Sequence, residues 1–272
     1  MSVFDGVLIC TDLDGTILKK DKSISAKNLK AIEYFKKNGG IFTFVTGRMP
    51  YYICDIGKQI KANAPFGCIN GGGLYDYEKK KYIWTNGVTE RVLELVEHVD
   101  KTFPDIGIQV CTFEKLYFCK QNRTMEEFRK LTGVENLACH YREVKEPIAK
   151  ILFGSESDDE ILRLKDSLNN HPLANEFDFV RSDRELYEIL PKDSGKGIAI
   201  KKLCEYLNID INKTIAIGDY DNDISMFNAA KIGIAVSNAC DAAKKAADYI
   251  TVSNEEDAIA HIIYDLEKGK FL

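Results

Sequence analysis

The chain has 272 residues, 45% of them hydrophobic, and a formal net charge of −5. That length supports two domains or one large one, with a substantial buried core. A mildly acidic chain with no long single-sign block is not a nucleic-acid or anionic-membrane binder that works by bulk charge, and no apolar run reaches the length of a membrane span.

The elements alternate from the start. Residues 7–10 read as a short buried strand that runs into Asp12 and Asp14, separated by one leucine. Ser25 is placed to cap a helix whose apolar positions Leu29, Ile32 and Phe35 recur at helical spacing, and Gly39-Gly40 stop it. Two further strands follow, IFTFVT ending at Thr46 and FGCI ending at Asn70-Gly71. Next come a hairpin in GLYDYEKKKYIW, an amphipathic helix in TERVLELVEHVDKTF, and antiparallel strands in IGIQVCT and KLYFC. AKILFGS, a polar helix over about residues 157–169, EFDFVRS and ELYEILP complete this middle part. The end returns to alternation, with a helix in KGIAIKKLCEYL, a strand in TIAIGD, a helix in DISMFNAA, and strands in IGIAV and ADYITV.

Short apolar strands alternating with helices predict a doubly wound parallel sheet. Ligands bind such sheets beyond the carboxyl ends of the strands, where Asp12, Thr46, Asn70 and Asp219 are expected. The middle is an α+β pattern, so the expected division is a core of residues 1–85 and 189–272 and an insert of residues 86–188. Eight cysteines without a CxxC pair, several inside apolar runs, read as reduced core residues. His98, His140, His171 and His261 have no metal-ligand spacing. The N-terminus MSVFDGV lacks the basic stretch and apolar core of a signal peptide, so the cytoplasm is the expected location.

Two adjacent carboxylates at a strand tip repel by several kcal/mol at intermediate dielectric and need a shared proton or a cation. Asp219, Asp221 and Asp223 stand at the end of another strand, and oxygen-only ligands suit Mg²⁺. A calcium loop is excluded, because its sixth position is Ile224 instead of glycine and its twelfth is Ala230 instead of glutamate. Asp-Gly is common turn chemistry, but four polar strand tips together exceed what a turn explains.

DLDGT after an aliphatic strand, Thr46 in TGR, Lys196 in SGKG and the GDYDND segment resemble the four motifs of haloacid-dehalogenase-superfamily phosphatases. The insert lies between the second and third motifs, as in the Cof-type branch. The resemblance covers essentially the whole chain and implies a Rossmann-like doubly wound core with an inserted α+β cap domain. It further implies a Mg²⁺-dependent phosphatase of small phosphomonoesters, sugar phosphates or phosphorylated cofactors. Asp12 resembles the nucleophile that forms an aspartyl-phosphate and Asp14 the general acid and base. Thr46, Gly47, Lys196 and Asn222 resemble the phosphate-binding groups, with Thr46 and Lys196 also in catalytic roles. Asp12, Asp14 (through its backbone carbonyl), Asp219 and Asp223 resemble the metal-binding set, and Asp221 falls on a variable position. Gly72 departs from the alanine usual in the Asn70-Gly71 loop. Arg48 either reaches the phosphate or pairs with an acid.

The expected partner is a small phosphate ester, with no nucleic acid and no membrane; monomer and dimer both stay open. A phosphomutase of the same superfamily shares the cap type and remains an alternative. A phospho-acceptor signalling module is the third reading, but receivers are about half this length and generally lack an acid/base at the Asp14 position. Within the insert, Arg123, Arg142, Lys150 and Arg181 are candidates to meet the rest of the substrate.

Overall fold

In the computed structural model, residues 2–271 are described. In chain order, the first segment carries β1 (Leu8–Thr11), α1 (Ala26–Lys37), β2 (Ile41–Phe44), α2 (Cys54–Ile60), β3 (Phe66–Cys68), β4 (Gly73–Asp76) and β5 (Lys81–Thr85). The middle carries α3 (Val92–Thr102), β6 (Gly107–Thr112), β7 (Leu116–Lys120), α4 (Arg123–Thr132), β8 (Ile148–Gly154), α5 (Asp158–Asn169), β9 (Phe177–Asp183) and β10 (Leu186–Pro191). The last segment carries α6 (Lys196–Leu207), β11 (Thr214–Gly218), α7 (Ile224–Ala229), β12 (Ile232–Ala235), α8 (Asp241–Ala246), β13 (Tyr249–Ile250) and α9 (Ala258–Glu267). The chain divides into two compact units, one of residues 1–85 and 195–272 and one of residues 86–194. A boundary at 188/189 cuts through β10, which is hydrogen-bonded to both β8 and β9 and so stays with the second unit.

The first unit is built on a parallel sheet of order β13-β12-β11-β1-β2. Every residue of β1, β11 and β12 is buried, which is why they read as unbroken apolar runs. The chain moves one way from β1 to β2 and the other way from β11 to β12. Right-handed crossovers then put α1 and α7 on opposite faces. The switch in direction leaves a crevice at the carboxyl ends of β1 and β11. Ser25 caps α1 by accepting the Asn28 N–H at 3.0 Å.

The FGCI strand differs from the expectation of a full member of this sheet. β3 touches β2 through one parallel bridge, Val45 to Gly67, and otherwise forms an antiparallel three-stranded sheet with β4 and β5. Apolar content marked it as a strand but carried no information on its pairing direction.

The second unit is an antiparallel sheet of order β7-β6-β8-β10-β9. One face, with Ile108, Val110, Ile151, Phe153 and Ile189, forms the core with α3 and α5. Side chains alternate along a strand, so Gln109, Lys150 and Glu188 lie on the other face. Lys150 Nζ donates to Glu188 Oε2 at 2.7 Å with both side chains buried. The amide nitrogen Nε2 of Gln109 is buried without a hydrogen-bond partner. Breaking a buried pair strands one charge, whereas replacing both ends removes the problem. Lys150→Met is therefore expected to cost about 3–5 kcal/mol. Lys150→Met with Glu188→Met should recover most of that in urea unfolding, and an equal loss in both variants would contradict it.

Candidate active site

Each strand tip in the crevice brings one functional group, and the backbone explains how. β1 ends at Thr11, and the Asp12 N–H donates to the Ile217 carbonyl at 2.8 Å, carrying the β1–β11 pairing one residue past the strand. Asp12 is thereby fixed beside β11. Gly15 follows in the left-handed region at φ +78°, where a Cβ would stand 2.4 Å from Asp219 Oδ2. Only glycine permits that approach. Thr16, fully buried, donates its hydroxyl to Asp219 Oδ1 at 2.8 Å. The DLDGT turn and the β11 tip are thus locked together by one glycine and one hydroxyl.

Lys196 is the first residue of α6 and is 1% exposed. Its ammonium donates to Asp12 Oδ1 and to Asp223 Oδ1, each at 2.6 Å. The other Asp223 oxygen accepts the Asp219 N–H at 2.8 Å and the Tyr220 N–H at 3.1 Å. Asp223 therefore positions both Lys196 and the backbone that bears Asp219. Gly71 makes this packing possible: at φ +89°, a Cβ there would lie 2.0 Å from the Gly195 carbonyl oxygen, immediately before Lys196.

Thr46 follows β2. Its Oγ1 accepts the Arg48 N–H at 3.2 Å, which leaves the hydroxyl proton to donate elsewhere. The Thr46 carbonyl accepts the Asn70 N–H at 3.0 Å, and Asn222 Nδ2 donates to Asn70 Oδ1 at 3.1 Å. Gly47 lies against the same side chain, because a Cβ there would be 2.9 Å from Asn70 Oδ1. Thr46, Gly47 and Asn222 are in this way brought together around Asn70. Arg48 pairs with an acid: its Nε and Nη2 donate to Asp14 Oδ2 and Oδ1 at 2.8 and 2.7 Å. Lys22 Nζ donates to Asp14 Oδ1 at 2.8 Å.

The electrostatics follow. Burial pushes the Asp12 carboxyl well above its ordinary value; Lys196 opposes this, while Asp223, Asp219 and Asp14 add to it. Burial, then Asp223, pushes Asp219 up to about 7. For Lys196, burial disfavours the charge, but Asp12 and Asp223 outweigh it and the ammonium is held charged. Asp14 is the reverse of its neighbours: burial raises it, but Arg48 and Lys22 win and hold it below its usual value.

Oxygen atoms of Asp12, Asp219 and Asp223 lie within 4.8 Å of one another. Three carboxylates against the Lys196 ammonium leave two uncompensated negative charges, which fits a divalent cation held by hard oxygen donors. The Asp14 carboxylate is not among the three and is directed to Arg48 and Lys22. The sequence alone did not point to Thr16 or Lys22. Thr16 was legible, as the fifth residue of DLDGT, whereas Lys22 lies in a polar loop whose path only the fold reveals.

The charge excess has a measurable consequence. A carboxyl raised in the folded state stabilises fully below its unfolded value, 3.8, and loses that contribution as pH rises through about 7. Without metal, the melting temperature is expected to fall between about pH 5 and about pH 8, and a divalent cation should raise it more at the upper end. A cation-induced rise that is larger at the acidic end would contradict the assignment.

A parallel sheet that changes direction above two aspartate-bearing strand tips, with a lysine bridging them, defines a class of phosphoryl-transfer fold. The family model of haloacid dehalogenase-like hydrolases matches residues 9–263, and the chain belongs to that family. It is a phosphatase of the Cof-type branch, with its insert between the second and third motifs. It is 29% identical to the 5-amino-6-(5-phospho-D-ribitylamino)uracil phosphatase YwtE of Bacillus subtilis, over 97% of this chain and 99% of that protein. YitU of the same organism, a phosphatase of the same name, is 25% identical over 94% and 96%. A haloacid dehalogenase-like hydrolase from Bacteroides thetaiotaomicron is similar in structure, with TM-score 0.80 and 25% identity over 96% of this chain and 99% of that one. The subclass IIB sugar phosphatase BT4131 shares the fold at TM-score 0.83 and 19% identity, covering 95% and 98%. Among the described residues, no helix is long and apolar enough to cross a membrane.

Proposed function

We propose that the chain hydrolyses small phosphomonoesters with Mg²⁺ through an aspartyl-phosphate on Asp12. The observation that carries this reading is the Lys196 ammonium, 2.6 Å from Asp12 and 2.6 Å from Asp223 at the mouth of the crevice. The Asp12 carboxylate attacks phosphorus and the ester oxygen leaves as an alcohol, taking its proton from Asp14. Asp14 must first gain that proton, so the incoming phosphate draws Arg48 and Lys22 away from it. Water then attacks the acyl phosphate and gives its proton to Asp14. Thr46, the Gly47 backbone, Lys196 and Asn222 hold the phosphoryl oxygens, and Lys196 balances charge as it spreads in the transition state. Asp12, Asp219 and the Asp14 carbonyl would hold Mg²⁺, with Asp223 behind them, and the ion would neutralise phosphoryl charge.

The two relatives named for a phosphorylated ribityl compound support a phosphorylated polyol or sugar as substrate class. Of the insert's candidate cations, Arg123 pairs with Glu127 and Glu156, Arg142 with Glu97, and Arg181 with Asp158, all with at least one exposed partner. Lys150 is the buried one. On the same sheet face the Gln109 amide nitrogen is buried without a partner, so Gln109→Leu should raise stability by about 1 kcal/mol in urea unfolding, and a loss of stability would contradict that cost.

The direct test is phosphate release from a panel of sugar, polyol and aryl phosphates, with Mg²⁺ and with chelator. Multiple turnover that needs Mg²⁺ is expected. No release, together with label trapped on Asp12, would replace hydrolysis by transfer to a second hydroxyl, as in a mutase.

A further inference from the structure

The edge of the second unit's sheet holds two thiols that the phosphatase chemistry does not use. Tyr117 of β7 forms a parallel bridge with Leu137, and the Phe118 N–H donates to the Leu137 carbonyl at 2.8 Å. The bridge is a single one, and Cys119 and Cys139 each follow it by two residues along segments that run in the same direction. Closure to a disulfide needs a Cα separation of roughly 4.4–6.8 Å. The Cys139 thiol is near enough to raise the Cys119 thiol, the Cys119 thiol donates to the Tyr117 carbonyl at 3.7 Å, and both residues are half-buried. Cys10, Cys68, Cys111 and Cys204 are buried, where an oxidant has no access.

We propose that Cys119 and Cys139 are a redox-active pair that closes to a disulfide when a small-molecule disulfide serves as oxidant. The Cys139 thiolate attacks one sulfur of the oxidant and expels one thiol. Cys119 Sγ, as thiolate, then attacks the Cys139 sulfur of the mixed disulfide and expels the second. The protein loses two protons and two electrons, one S–S bond forms, and the oxidant's S–S bond becomes two thiols. Burial first, then the neighbouring Cys139, pushes the Cys119 thiol up to about 12, so closure is slow at neutral pH and accelerates as pH rises. The closed link ties both ends of the segment that carries α4, and that constraint stabilises the folded chain.

The test uses the full chain, folded, exposed to oxidised glutathione, quenched in acid and digested with trypsin without reductant. Residues 116–120 and 131–142 fall in separate tryptic peptides with one cysteine each. The expected product is the two peptides joined, two hydrogens lighter than their sum, formed faster at higher pH and absent from Cys119→Ser and Cys139→Ser. Oxidation should raise the melting temperature of the wild type and leave both variants unmoved. Free, fully alkylatable thiols in both peptides would overturn the proposal, as would glutathione retained on Cys139 beside a free Cys119.

Discussion

Asp12→Asn is expected to lower phosphate release by on the order of 10⁴-fold or more, because it removes the attacking atom and not merely a contact. The fold should survive. Lys196 keeps Asp223 at 2.6 Å, and the asparagine carbonyl still accepts from the ammonium. The change also removes one of three converging carboxylates, one that burial and its acidic neighbours hold well above its ordinary value. The melting temperature should therefore match or exceed that of the wild type in the absence of metal. Turnover and melting temperature measured on the same preparation separate the two effects. Residual turnover within about tenfold of the wild type would remove Asp12 from the nucleophile role.

Lys196→Met should damage both activity and stability. Losing one preorganised positive donor costs on the order of 10²–10³-fold in turnover. It also leaves Asp12 and the fully buried Asp223 without their shared cation, a loss of about 3–5 kcal/mol. The pH dependence has a definite sign. Without the ammonium, the Asp12 carboxyl, already raised by burial, is raised further in the folded state, so its protonated form stabilises that state at low pH. That contribution disappears as pH rises through the raised value. The stability gap between variant and wild type should thus widen from acid to neutral pH in denaturant unfolding, and a gap independent of pH would contradict the shared-cation account.

These expectations rest on residues that the sequence exposes to different degrees. Asp12, Asp14 and Asp219 stand out because an aliphatic run that ends in acid is unusual, and an all-buried parallel strand has to read that way. Lys196 alone resembles any lysine in the first turn of a helix; its burial is set by Gly71, 125 positions earlier, through a contact no local pattern carries. α4 is hard to see because RTMEEFRKLT is mostly polar, and its Asn122 cap, which accepts the Met125 N–H at 3.0 Å, lies in a stretch with no apolar stripe. The Arg48–Asp14 pairing resolves an even choice that spacing left open.

The central strand β1 has two neighbours that come into existence at very different times during synthesis. Leu8 pairs with Ile41, 33 residues on, and with Thr214, 206 residues on. Loop closure makes the second pairing about 1.6 kcal/mol more costly if the intervening chain is flexible, unless the second unit has already collapsed around its own core and shortened the gap. A nascent chain therefore carries β1 with one bare edge until β11 leaves the ribosome, and the phosphoryl crevice cannot be completed before β11 and the aspartates that follow it emerge. Slow folding of the insert would lengthen that exposure and lower the yield of active enzyme through aggregation, with every catalytic side chain intact.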